Sequence, residues 1–402
     1  MSRWGWLGDE QGSGSVALKV ARFCVCLLAF VMPFSIALTE GALITGLVAL
    51  FVSRRQGRAF TFQHSAFDWA CLAIAGSWIL SSITSPEPLA SFIHVRKLYA
   101  MGLVYLAAET LRPAAARARL VPLIAAGATV TAVAGFLIYA IMIRVEPAYR
   151  LKSLLSNQMT SGGVLAAASL WALGGMTAGS RTRRLWLGAV LLGLLPALAL
   201  TQTRSHWMGF AVGSVVILLS RSPKAWFTVP LGAVAFRFAA PARLAERFAS
   251  IVDPHEPGNQ GRLSMWRSGF DIFREHPITG AGIQDLLGLY RKHKYPDATF
   301  EAGHFHNNFV QFAVSAGVIG LAAFTFWVIA GFRQLLRSRA VASGEDRGLI
   351  ASALAIFTAM LVAGLFDFTF GDAEVIYHSY LGLGLALAIL PERTAASALP
   401  GR

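Results

Sequence analysis

Apolar runs about as long as a bilayer is thick recur along almost the whole of this chain, and they limit its fold more than any other feature. Inside lipid no water is present to satisfy the backbone, so such a run must bond to itself as a helix, and about 20 residues are enough to cross. Twelve runs can be read, approximately at 20–38, 40–53, 67–84, 92–110, 120–143, 157–178, 185–202, 205–221, 224–240, 305–335, 347–367 and 372–390. Hydrophobic residues fill 55% of the 402 positions and charged residues only 14%, more apolar surface than one soluble core would need. The expected fold is an all-α integral membrane protein of about twelve transmembrane helices. It divides into 1–240 with spans 1–9, a loop subdomain at 241–304, and 305–402 with spans 10–12 and a short cytoplasmic tail.

The basic residues orient this set, because cytoplasmic loops collect Lys and Arg. Arg3, Lys19 and Arg22 precede or open the first run, Arg54, Arg55 and Arg58 follow the second, and Arg112, Arg117 and Arg119 follow the fourth. Arg181, Arg183 and Arg184 follow the sixth, Arg221 and Lys224 the eighth, and Arg333, Arg337 and Arg339 the tenth. Both termini are therefore expected in the cytoplasm. The formal charge of +14 is mostly this topological signal. It does not describe a nucleic-acid partner, whose surface would interleave basic and aromatic groups on a soluble face. Cys24, Cys26 and Cys71 sit in apolar surroundings as small hydrophobes, with no disulfide or zinc spacing. The first run lacks a small-residue cleavage site, so a retained first helix is expected.

Exceptions to the charge rule carry the functional signal. On the side opposite the basic loops, Arg144, Arg150 and Lys152 follow the fifth run, and Arg204 lies in the tight link Thr201 to His206. The segment 241–304 adds Arg243, Arg247, Arg262, Arg267, Arg274, Arg291, Lys292 and Lys294. Long loops escape the insertion bias, but a short link does not. Arg204 is thus placed where a polar headgroup or diphosphate would lie; alternatively it snorkels, or pairs with Asp367 or Asp372.

Within the long loop, Leu263, Trp266, Phe270 and Phe273 repeat at helical spacing, an apolar stripe suited to the membrane or the bundle. Arg267, Asp271 and Arg274 share a face and can form an ion-pair ladder. Arg262 has no acidic partner at the next turn and is the better ligand candidate. Pro277 to Gly282 then forces a turn, so the loop is expected to be a small folded unit. It closes on Gly303-His304-Phe305-His306-Asn307-Asn308. The asparagines suit a helix start. The histidines suit proton transfer near neutral pH, since an imidazole ordinarily titrates near about 6.5.

Three stretches together resemble the O-antigen ligase and O-antigen polymerase superfamily. They are Thr203-Arg204-Ser205-His206-Trp207-Met208-Gly209, the run Gly261 to Gly282, and His306-Asn307 with Gly317 and Gly320 beyond. The ligase pattern is His-Asn/Ser/Gln, nine residues, Gly, two residues, then Gly, and this chain satisfies it. The resemblance covers about residues 200–325. It implies a GT-C-like, metal-independent, inverting glycosyltransferase without a cofactor, in the bacterial inner membrane with its site on the periplasmic side. The implied donor is a glycan on undecaprenyl diphosphate and the implied acceptor is lipid A-core, with membrane lipid around both.

The residues make chemical sense of that role. The donor carries its own leaving group, so the protein must neutralise charge growing on a diphosphate. Arginine suits this because it stays protonated and bonds phosphate oxygens in pairs. Arg204 and Arg262 come first for this role, then Arg150 and Arg267. His306 fits the general base that takes the acceptor hydroxyl's proton, help worth roughly 10²–10⁴ in rate, and Asn307 can orient the ring or the sugar. His304, His206 and His378 are alternatives to His306. No paired-carboxylate metal motif is evident. Three other readings stand beside the ligase: an O-antigen polymerase, a protein O-oligosaccharyltransferase, and a twelve-span secondary transporter. The first two use similar chemistry. The last would place ionisable residues near the bilayer midplane and repeat its halves, and no such repeat is visible.

Overall fold

Polar residues at the ends of the apolar runs decide where helices begin. Ser15 accepts from the Leu18 N–H, Ser65 and Asp68 cap each other reciprocally, and Asn157, Ser180 and Asn307 accept from the first amides of the helices they precede. Each satisfies a donor the helix start leaves open. This computed structural model describes residues 15–55, 65–222, 224, 227–283, 286–296, 298, 301 and 303–391. Arg3, Arg58, Asp285, Asp297 and the tail from 392 lie outside the described residues.

The described elements are helical throughout. They are α1 (Val16–Val31), α2 (Ile36–Arg55), α3 (Ala66–Thr84), α4 (Pro88–Val95), α5 (Gly102–Thr110), α6 (Ala114–Val145), α7 (Gln158–Gly175) and α8 (Arg181–Leu200). There follow α9 (Arg204–Leu219), α10 (Thr228–Ala239), α11 (Ala242–Ala249), α12 (Pro257–Glu275), α13 (Leu287–His293), α14 (Asn308–Val341), α15 (Gly344–Ala363) and α16 (Ala373–Ile389). Each of the twelve apolar runs lies largely on helix in its described residues, and the run at 20–38 crosses the turn between α1 and α2. Among the described residues six helices, α2, α3, α6, α8, α14 and α15, are long and apolar enough to cross a membrane; α9, most of α10 and α16 are apolar but shorter. These features describe a multi-pass membrane protein.

The run at 92–110, read as one span, is not one helix. A 3-10 segment at Arg96–Met101 separates α4 from α5. Arg96 and Lys97 are costly in lipid, and backbone that leaves the α-helix at membrane depth persists only where protein or a cavity receives it. Here Lys97, Tyr99 and Met101 line a cavity.

The main core lies between the long helices, with Trp171, Phe324, Trp327, Phe357 and Tyr377 fully buried. A second, smaller core of Met265, Ile272, Ala281, Leu286, Tyr290, Phe305 and Val314 lies where α12, α13 and the links around them meet the start of α14. The apolar stripe of α12 divides. The Trp266 indole N–H donates to the Phe305 carbonyl at 2.9 Å, and Phe273 packs on the small core, while Leu263 and Phe270 are exposed.

A backbone exchange joins α14 to the turn after α12. At Gly317 (φ +63°, ψ −162°) α14 leaves helical geometry, freeing main-chain groups that must find other partners. The turn after α12 supplies them. Ala281 and Gly282 N–H donate to the Val314 and Ser315 carbonyls at 2.8 and 3.0 Å, and Val318 N–H donates to the Pro277 carbonyl at 2.9 Å. A Cβ at 317 would collide with the Ile278 carbonyl, and one at 280 with the Ser315–Ala316 peptide. Both sites also have positive φ, so glycine is required twice over.

Candidate active site

Asn307 and Asn308 bring the α15–α16 link onto the start of α14. Asn307 accepts from the Phe309 and Val310 amides and donates to the Leu365 carbonyl at 2.9 Å. Asn308, wholly buried, donates to Thr369 Oγ1 at 2.9 Å and accepts from the Phe370 N–H at 3.1 Å. Between these clamps lies Asp367. Its Oδ1 is 3.2 Å from His306 Nδ1 and accepts from the Phe368 N–H at 2.9 Å, while Oδ2 is 3.5 Å from His206 Nε2. Asn307, a candidate substrate ligand by sequence, thus uses both ends of its amide on protein.

Burial works to raise the Asp367 pKa, but the hydrogen bonds and charge of His206 and His306 outweigh it and hold the carboxyl well below its ordinary range. The carboxylate can only accept. The His306 nitrogen facing it therefore carries the proton, and Nε2 is left as the basic atom. His306 has φ +47°, a left-handed backbone that costs a non-glycine residue about 1–3 kcal/mol. His304 packs edge-on against its ring, centroids 4.3 Å apart.

His304, His306 and Asp367 line a cavity of about 790 Å³. Trp78, Tyr99, Phe368, Phe370 and Tyr377 supply aromatic walls, and Glu40, Asp372 and Glu374 supply carboxylates. Asp372 Oδ2 accepts from Thr160 Oγ1 at 2.6 Å. Such a mixture of flat apolar faces and hydroxyl acceptors suits a saccharide. Among the described residues no three His, Cys, Asp or Glu side chains are grouped to hold a metal ion.

Beside the cavity lies an arginine cluster. Arg204, only 6% exposed, donates to the Ser250 carbonyl and hydroxyl at 2.7 and 2.9 Å, to Glu256 at 2.7 Å and to Asn259 at 3.0 Å. Its partner acid is Glu256, not Asp367 or Asp372. Arg247 holds the other Glu256 oxygen at 2.9 Å. Arg150 donates to the Thr201 and Gln202 carbonyls at 3.0 and 2.8 Å. Arg262 donates to the Phe366 carbonyl at 3.0 Å, one residue from Asp367.

Burial first, then repulsion from Arg247, Arg204, Arg262 and Arg243, brings the Arg150 pKa down to about 10. Burial and Arg204 lower Arg262 and Arg247 likewise, so these cations crowd one region with few acids between them. That field favours an anion. Arg262 reaches the α15–α16 link at Phe366, the residue before Asp367, and none of these arginines forms the cavity wall.

Arg267 is not part of it. Exposed on α12, it has no hydrogen bond or ion pair to a described residue, and Asp271 accepts from Tyr295 at 2.7 Å in place of the expected ladder. Arg243 and Arg247 were legible only as loop cations. Asp367, far from His306 in sequence, had no local signal beyond standing in an acidic link.

This all-helical membrane protein thus has a polar cavity that holds a histidine on a carboxylate, with arginines alongside. Residues 187–325 match the family model for O-antigen ligase, and this stretch carries Arg204, Arg262 and the His306-Asn307 pair. The resemblance seen in the sequence holds over that stretch. A candidate polysaccharide ligase of Rickettsia conorii is 23% identical over 194 residues, 44% of this chain and 44% of that protein. The matched stretch is thus less than half of that relative's length.

Proposed function

We propose that this protein is an O-antigen ligase, which transfers a glycan from undecaprenyl diphosphate to a sugar hydroxyl of lipid A-core. The observation that carries the reading is His306, its Nδ1 on Asp367, at a saccharide-sized cavity beside the arginine cluster. In the proposed step Nε2 of His306 takes the acceptor hydroxyl's proton as the oxygen attacks the anomeric carbon. The bond from that carbon to the diphosphate oxygen breaks, and the diphosphate leaves with the electron pair, so configuration inverts. Arg204, Arg262 and Arg150 provide positive potential for the departing charge, and Arg267, exposed on α12, can reach only a substrate that extends past the loop. Asn307 acts by holding Asp367's link in place.

The same reading takes the twelve helical runs as twelve spans of a GT-C-like bundle, 1–240 and 305–402, with 241–304 as the periplasmic subdomain. It places both termini in the cytoplasm of a bacterial inner-membrane protein. Lipopolysaccharide from a deletion strain, complemented with the native gene or with His306→Ala, tests it. Loss of capped O-antigen with build-up of polymerised undecaprenyl-linked glycan is the expected result. Lipid A-core bearing one repeat unit would indicate a polymerase, and normal lipopolysaccharide would sink both. A requirement of the purified protein for added divalent metal would contradict the metal-independent step.

A further inference from the structure

Asp367 is shared. Oδ1 serves His306, and Oδ2 faces the imidazole of His206, a residue of α9 that is 4% exposed. The fold makes room for this ring. At Gly163 of α7 an added Cβ would lie 3.0 Å from His206 Cε1, and at Gly162 it would lie 3.3 Å from Cδ2 and strike the Thr203 hydroxyl. A buried histidine could have been fixed by any acceptor. This one is set on the carboxylate that orients the base.

We propose that His206 is a positioning residue for the transfer reaction: its Nε2, lodged on Oδ2, keeps Asp367 turned so that Oδ1 stays on Nδ1 of His306. The inference rests on His306 being the base. The physical argument is orientation. A carboxylate held at one oxygen can rotate away from that partner, whereas contacts at both oxygens fix its plane and, through it, the ring of the base. The other groups around the pair are Asp372 on the α15–α16 link, Arg262 on α12, Arg204 on the same helix as His206, and His304 against the His306 ring. Val375 of α16 and the Ala359–Met360 stretch of α15 complete the surroundings of His206 with apolar atoms.

Replacing His206 with Ala removes the contact at Oδ2, while Gln keeps a donor there. For His206→Ala, kcat for glycan transfer should fall by about tenfold or more with donor KM nearly unchanged, since misplacing a reacting group by about 1 Å can cost about 10²-fold; His206→Gln should recover most of that loss. An unchanged kcat in His206→Ala, or no recovery with Gln, overturns the proposal. In an Asp367→Asn background His206→Ala should add no further loss, because the carboxylate it positions is gone. An additive loss would overturn it equally. Failure of the parent reading looks different, since His306→Ala would then retain transfer.

Discussion

His306 and Asp367 stand 61 positions apart in the chain, and Nδ1 of one meets Oδ1 of the other at 3.2 Å. That contact fixes the ring's tautomer and leaves one basic nitrogen. Asp367→Asn preserves the shape but presents an amide that no longer demands the proton on Nδ1. Transfer should fall by about 10²-fold or more, within the range general-base help supplies, with donor KM nearly unchanged. A rate within twofold of wild type would remove Asp367 from the mechanism.

Gly317 determines how the turn after α12 is seated on α14. Gly317→Ala meets an unfavourable φ, costing about 1–3 kcal/mol, and also the Ile278 carbonyl. The expected outcome is a loop that trypsin cleaves at Arg291 or Lys292 several times faster than in wild type, with transfer largely lost. Equal cleavage rates would show that α14 tolerates the change.

Arg204 joins α9 to the loop through four hydrogen bonds. Arg204→Ala leaves Glu256 with Arg247 alone and should destabilise the protein by about 1–3 kcal/mol, besides slowing transfer. Cys24, Cys26 and Cys71 are free and buried, so a thiol-reactive dye reports the melt. Arg267→Ala, which breaks no such bond, should melt as wild type does.

The Glu256 contact also predicts an acid sensitivity. Burial opposes its charge, but hydrogen bonds and attraction from Arg204 and then Arg247 prevail, so its pKa lies below the ordinary value. A depressed folded pKa contributes stability that is present above the unfolded value, about 4.3, and is lost as pH falls through the folded one. Protease sensitivity of 250–259 should therefore rise below about pH 4, and Glu256→Gln should show the sensitive behaviour already at pH 7. No pH dependence in wild type over that interval would contradict the assignment.

Much of the architecture was legible because it depends on neighbours. Helix comes from apolar runs, and the start of α14 from Asn307, two and three residues before the amides it caps. The turn at Pro277 to Gly282 was readable for the same reason. The break at Arg96–Met101 was present as two cations in an apolar run, though its consequence depended on a cavity that other helices build. Arg204 stood out as a cation in a tight link, but its acid partner lies 52 residues away, and several carboxylates were equally plausible from the sequence.

What the sequence alone determined, then, is a chain of membrane helices with one folded loop, ligase-like motifs and a histidine in a set register with two glycines. Those are local properties of spacing, hydropathy and backbone freedom. Tertiary structure decided that His306 and His206 share Asp367, that none of the clustered arginines forms the cavity wall, and that Gly317 is where loop and bundle exchange backbone bonds. These contacts join segments tens to hundreds of residues apart. No local preference specifies them, because each depends on how the packed helices bring distant polar groups into the same low-dielectric space.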